Sequence, residues 1–115
     1  MTMTTASVDA DEPAALAPAA ALFRALGDPN RLAILQHLAL GEHRVRDLTD
    51  HLGLAQSTVS AHCQCLAGCG LIAARAEGRA TVYSLAAPEL LGLLAAAEDV
   101  LATTGDAVTL CPRTA

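Results

Sequence analysis

A short apolar repeat, a glycine and a second repeat constrain this chain more than any other feature. Val45, Leu48 and Leu52 recur at three- and four-residue intervals, the spacing of one helix face. Gly53 follows, where a helix C-terminus commonly turns left-handed. A second helix opens near Ala55 or Gln56, with Val59, Cys63 and Leu66 on its inner face. A short helix, a tight glycine turn and a helix beginning Gln56-Ser57-Thr58 form the pattern of a helix-turn-helix.

The flanking segments complete the outline. Residues 13–26, rich in Ala and Leu, predict a first helix ending at Gly27. Asp28-Pro29 supplies an N-cap and a first-turn proline for a helix over 29–39. Gly68 and Gly70 end the recognition helix, and residues 71–76 and 81–85 read as strands. Residues 77–80 form the turn between them, with Arg79 at the tip of the hairpin. Pro88 starts a last helix bearing Leu90, Leu91, Leu94, Val100 and Leu101, apolar around much of its surface and therefore suited to burial against a partner subunit. The expected fold is mainly α with a β-hairpin: a homodimeric winged helix-turn-helix. Residues 1–12 are acidic and without period, a disordered arm. Residues 13–104 form the DNA-binding and dimerisation domain, and 105–115 a tail carrying Cys111.

The chain has 115 residues, enough for one domain. No apolar run approaches the roughly 20 residues that span a bilayer, and no basic-then-apolar leader opens the chain, so a cytoplasmic protein without a membrane partner is expected. The net charge of −5 is unusual for a DNA binder, but its distribution is informative. Residues 1–30 and 84–115 each sum to −3, whereas 31–83 sum to +1 and hold all four His. All seven basic residues are Arg, which suits bidentate phosphate or guanine contacts. Gln56, Ser57, Thr58, Ser60 and His62 on the groove-facing helix, with Arg79 on the wing, are the candidate contacts to double-stranded operator DNA. The bland reading of the first four is helix capping, and of Arg79 a solvated turn. His37, His43 and His51 read as surface residues without a special role.

Three of the four cysteines fall in Cys63-Gln64-Cys65-Leu66-Ala67-Gly68-Cys69, at the end of the recognition helix. Cys65 and Cys69, four apart, share a helix face and offer two sulfurs to one ion. Cys63 points nearly the opposite way and reads as a small core residue, with a ligand role for arsenite as the alternative. Thiolates suit soft ions such as Cd(II) or Pb(II); Zn(II) and As(III) are further options. Nothing in the chain provides a base-and-orienter set for the thiols, so no enzyme is expected.

Leu26-Gly27-Asp28-Pro29-Asn30-Arg31-Leu32, the stretch from Asp47 to His62, and Gly70-Leu71-Ile72 with Glu77-Gly78-Arg79 and Val82-Tyr83-Ser84-Leu85 together resemble the ArsR/SmtB family of bacterial metal-sensing repressors. That family's third-helix metal box reads Glu-Leu-Cys-Val-Cys-Asp-Leu. Here Arg44 and Arg46 replace both cysteines, so that thiolate site is absent. The last helix has Glu98 and Asp99 but no His, so the zinc-type site of another subgroup is not expected either. Cys65 and Cys69 are similar to the paired cysteines of the CmtR-type cadmium and lead sensors. In that subgroup a third cysteine comes from the other subunit's tail, which implies Cys111 as the third ligand. The resemblance thus implies a repressor that binds operator DNA when metal-free and leaves it on capturing Cd(II) or Pb(II), derepressing metal-resistance or efflux genes. Arsenite or antimonite sensing and a thiol-redox switch are the alternatives.

Overall fold

The computed structural model describes residues 12–111. The arm expected at its N-terminus, apart from Glu12, lies outside the described residues, as does the end of the tail beyond Cys111. A 3-10 turn over Pro13–Leu16 leads into α1 (Ala17–Leu26). Then follow α2 (Pro29–Leu40), β1 (His43–Arg44), α3 (Val45–Leu52), α4 (Gln56–Gly68), β2 (Ile72–Glu77), β3 (Ala80–Leu85) and α5 (Glu89–Thr103).

The helix boundaries follow local chemistry. The Asp28 side chain accepts from the backbone N–H of Asn30 and Arg31, at 2.8 and 3.1 Å, and Pro29 takes the first helical position. Gly53 sits at φ 67°, ψ 26°, the left-handed conformation that closes α3 and lets α4 start three residues later. The hairpin is tighter than the four-residue turn expected: Glu77 pairs with Ala80 around Gly78 and Arg79, with Gly78 at φ 62°. A third strand was not legible. His43 and Arg44 pair with Tyr83 and Val82, so the sheet runs β1-β3-β2, all antiparallel, and the wing is anchored at the start of α3.

The core joins α2, α3 and α4. Ile34, Leu48, Val59, Cys63 and Leu66 are fully buried, and Leu35 almost so. Val59, Cys63 and Leu66 form one face of α4 at four- and three-residue spacing, which leaves the opposite face to solvent. Leu71, Ile72 and Tyr83 close the core on the sheet side, and Leu90 and Leu94 of α5 on the other. Phe23 on α1 and Val100 on α5 remain 60% and 61% exposed. An apolar groove lined by Leu22, Leu71, Leu90 and Leu93 runs between these two helices.

Leu48 links the two helices of the motif from a position with no exposure. Leu48→Ala is expected to cost about 2–5 kcal/mol, read as a lower urea midpoint with an unchanged slope.

Candidate nucleic-acid interface and thiol site

The N-terminal turn of α4 presents Gln56, Ser57 and Thr58 to solvent and leaves Ser60 half-buried. None of the four makes a side-chain hydrogen bond among the described residues, and the N-cap, Ala55, has no side-chain cap. Among the described residues none of the four therefore acts as a helix cap. Between this helix face and the wing lies a polar groove lined by Arg44, Arg46, Gln56, Ser60, Gln64 and Arg79.

Of these, Arg44, Arg46 and Gln64 were not singled out from the sequence. Arg44 and Arg46 registered only as replacements for cysteines, because their closeness to the wing depends on the β1–β3 pairing. A cluster of exposed ion pairs surrounds that junction. Arg44 meets Glu77 at 2.9 Å, and Arg75 meets Glu77 at 3.1 Å and Glu42 at 2.7 Å. Hydrogen bonds from Arg75 and Arg44 hold the Glu77 carboxyl below its ordinary value, and Glu42 does most to raise the Arg75 guanidinium. Arg46 and Arg79 have no carboxylate partner among the described residues, which makes them the uncompensated cations of the groove.

His62 is placed differently from expectation. Its Nδ1 lies 3.3 Å from Arg31 Nη1, and its Nε2 lies 4.0 Å from Asp28 Oδ1. Arg31 can only donate, so Nδ1 accepts and the neutral ring carries its proton on Nε2, toward Asp28. Arg31 is itself held by the carbonyls of Ala25 at 2.7 Å and Arg24 at 2.9 Å. The Arg31 N–H does most to hold the Asp28 carboxyl low, with burial opposing it and the Asn30 N–H helping. His62 thus joins the recognition helix to the start of α2. These internal contacts hold the ring at a side-chain exposure of 16%.

The four cysteines have four environments. Cys65 is exposed, Cys69 half-buried, Cys111 half-buried and Cys63 buried; all are free thiols. Cys69 closes α4, with Sγ 3.9 Å from the Ala21 carbonyl of α1. Burial pushes the Cys63 thiol from 9.0 up to about 11, so this residue takes the core role and is a poor thiolate donor. Cys111 is docked on its own protomer. The Leu110 and Cys111 N–H groups donate to Glu98 Oε2 at 2.5 and 2.7 Å, and Cys111 Sγ lies 3.6 Å from the Leu91 carbonyl. Burial, then the Glu98 charge, raises its thiol pKa. Gln36 Nε2 also donates to the Thr109 carbonyl at 3.0 Å.

Among the described residues of one protomer, Cys65, Cys69 and Cys111 do not gather into a three-ligand cluster. The pair on α4 fits a soft ion by donor type and helical spacing. A different trio does gather, His37, His43 and His51, which had read as unrelated surface residues.

A helix-turn-helix with an exposed polar helix face, flanked by a β-wing with Arg79 at its tip, defines a winged-helix DNA-binding regulator rather than an enzyme. Residues 28–74 match the family described as bacterial regulatory protein, arsR family. A probable mercury resistance operon repressor of Streptomyces lividans is 37% identical over 94 residues, which cover 82% of this chain and 75% of that protein. The HTH-type transcriptional regulator CmtR of Mycobacterium tuberculosis is 51% identical over 67 residues, 58% of this chain and 57% of that protein. A homodimeric winged helix-turn-helix DNA-binding domain from Mycobacterium bovis superimposes with a TM-score of 0.71 at 33% identity, covering 81% of this chain and 86% of that one. The chain belongs to the arsR family of bacterial transcriptional regulators. No helix among the described residues is long and apolar enough to cross a membrane.

Two outcomes follow. Arg46→Ala and Arg79→Ala should each weaken binding to promoter DNA roughly uniformly across sequences and reduce the slope of log affinity against log salt by about 1, measured by fluorescence anisotropy. For Cys63, the native state keeps its proton to higher pH than the unfolded chain, so its stability contribution is intact below 9.0 and declines as pH climbs toward about 11. Iodoacetamide should therefore alkylate Cys65 readily and spare Cys63 until the protein is unfolded, as read by peptide mass spectrometry.

Proposed function

We propose that this protein is a homodimeric, metal-responsive repressor in which Cd(II) or Pb(II) binds Cys65 and Cys69 together with Cys111 and releases operator DNA. The observation that carries this reading is the placement of an exposed thiol, Cys65, and a half-buried one, Cys69, four residues apart at the C-terminal end of the helix whose first turn exposes Gln56, Ser57 and Thr58. The metal-free dimer would set each α4 in a major groove, with Gln56, Ser57, Thr58 and Ser60 at base edges and Arg46 and Arg79 at phosphate. Dimerisation through α1 and α5 is supported by the apolar face left around Phe23 and Val100 and by the homodimeric relative. A repressor of this kind works beside the chromosome, in the cytoplasm.

The metal supplies Lewis acidity toward sulfur; the chain supplies the geometry. Cys69 lies against α1, so an ion pulling on it pulls on the joint between the recognition helix and the dimer-forming helices. Glu98 fixes where the Cys111 backbone sits. A shift of α4 relative to that joint changes the separation of the two reading heads. The resulting loss of DNA affinity is a coupling free energy, about 1–3 kcal/mol in typical cases. Binding displaces thiol protons, so the response weakens as pH falls.

A second inducer is favoured by one observation. Cys111 is docked on its own α5, so the two thiols on α4 form the ready donor set, and two thiolates suffice for Hg(II). The Streptomyces relative, named for mercury resistance, points the same way. The arsenite alternative built on Cys63 is disfavoured by that thiol's burial and raised pKa.

A mobility-shift assay with promoter DNA and reductant tests the proposal. Cd(II) should release the wild-type protein, and Cys65→Ser or Cys69→Ser should abolish both release and the ultraviolet thiolate-to-metal absorption. Cys111→Ser should weaken the Cd(II) response while sparing that to Hg(II). Operator binding unchanged by Cd(II), Pb(II) and Hg(II) would sink the reading.

A further inference from the structure

The trio at the far end of α2 is a separate site, with ligand chemistry unlike the thiols'. His37 lies in the last turn of α2, His51 in the last turn of α3, and His43 opens β1 between them. The chain reverses at Gly41, φ 151°, which brings His43 back beside the end of the helix it has just left. The rings of His37 and His51 stack with centroids 4.5 Å apart and planes 12° from parallel. The His43 ring stands edge-on to both, 5.7 Å from each at 60° and 68°. One nitrogen from each ring lies within 4.8 Å of the other two.

Two features favour a ligand set over a chance meeting of surface residues. First, none of the three makes an ion pair with a carboxylate among the described residues; the one His ion pair there belongs to His62. The imidazoles face one another with no acid to balance a positive charge. Second, His43 Nδ1 lies 2.8 Å from the Gly41 carbonyl. A carbonyl only accepts, so the proton is on Nδ1 and the Nε2 lone pair is free. A backbone carbonyl fixing the non-ligating nitrogen is the usual support of a metal-bound imidazole.

We propose that His37, His43 and His51 form a second metal site, for one borderline divalent transition-metal ion such as Zn(II), Ni(II) or Cu(II). Imidazole suits these ions, while thiolate pairs suit softer ones, so the two sites divide metals by chemistry. Bonds of about 2.0–2.1 Å in a tetrahedron place ligand nitrogens roughly 3.3 Å apart. Reaching that spacing from 4.8 Å or less takes movements of about an ångström per ring, and His37 and His51, stacked 12° from parallel, must also unstack so that both ring planes contain the ion. Three protein ligands leave a position for water. The ion ties the ends of α2 and α3 to β1, and hence to the strand that carries the wing. It therefore stabilises the scaffold that holds the recognition helix, by an amount set by metal concentration over its dissociation constant.

The site is independent of the proposed thiolate sensing, and the experiment keeps them apart. Untagged full-length protein carrying Cys65→Ser, Cys69→Ser and Cys111→Ser is stripped of metal and titrated with Co(II) and Zn(II). The expected result is one ion per chain, Co(II) visible bands without a thiolate charge-transfer band, and a raised melting temperature. His51→Asn, at an exposed position, should weaken binding at least tenfold and remove the thermal shift; His37→Asn and His43→Asn should do the same. Circular dichroism of the metal-free variants checks folding, and His51→Asn decides the matter if a more buried variant fails to fold. Absence of Co(II) uptake, or equal affinity with and without His51, overturns the proposal and leaves a solvated histidine stack.

Discussion

The seating of one side of α4 in the core governs what the rest of the molecule can do. Val59, Cys63 and Leu66 lose all solvent contact against Ile34, Leu35 and Leu48. Full burial of each aliphatic side chain contributes about 1.5–3 kcal/mol, far more than any surface pair in the molecule. Rolling the helix by even one residue would expose part of that row. The outward face is thereby fixed without any contact of its own, and it holds Gln56, Ser57, Thr58, Ser60, Gln64 and Cys65. The polar residues of that face have no side-chain hydrogen-bond partner among the described residues. A row of unsatisfied donors and acceptors on a rigid helix suits recognition, since little conformational entropy remains to be lost on binding.

Charge is arranged around that row by local cancellation. The chain is acidic overall, yet Arg44 and Arg75 answer Glu42 and Glu77 at the wing base, leaving Arg46 and Arg79 free at the groove. Those ion pairs are exposed and add little stability. Their effect is one of placement: they join the hairpin to the start of α3 and set the distance between the wing and the recognition helix. An acidic chain can approach DNA on one face because the Debye length, about 8 Å at physiological salt, hides the acids on the others.

Much of this was legible because it is written in short-range terms. The Asp28-Pro29 cap, Gly53 at the turn, and the apolar spacing of α3 and α4 act over four residues or fewer, and each appears where it was expected. Cys63 as a core residue followed from its two-residue offset from Cys65. What escaped depends on contacts across the chain. Strand β1 is two residues long and exists only by pairing with Val82 and Tyr83, so neither propensity nor periodicity marks it. The groove roles of Arg44 and Arg46 and the meeting of His37, His43 and His51 follow from that strand and were hidden with it. The Arg31 partner of His62 also escaped, because helical spacing gives a direction but not a partner. Arg31, thirty-one positions away, draws the ring inward.

The tail makes the same point in reverse. The resemblance implied Cys111 as a tail ligand and did not give its contacts: Glu98 accepts both the Leu110 and Cys111 N–H groups, and Gln36 donates to the Thr109 carbonyl. Hydrogen bonds to a charged acceptor are worth about 1.5–3 kcal/mol each. Under the function proposed above, a metal that recruits Cys111 either works with this docked backbone or undoes it, and an ion satisfied by two sulfurs does neither. On that proposal, three-coordinate capture would cost roughly the strength of the Glu98 contacts only if it undid them, and two-coordinate capture would leave them in place.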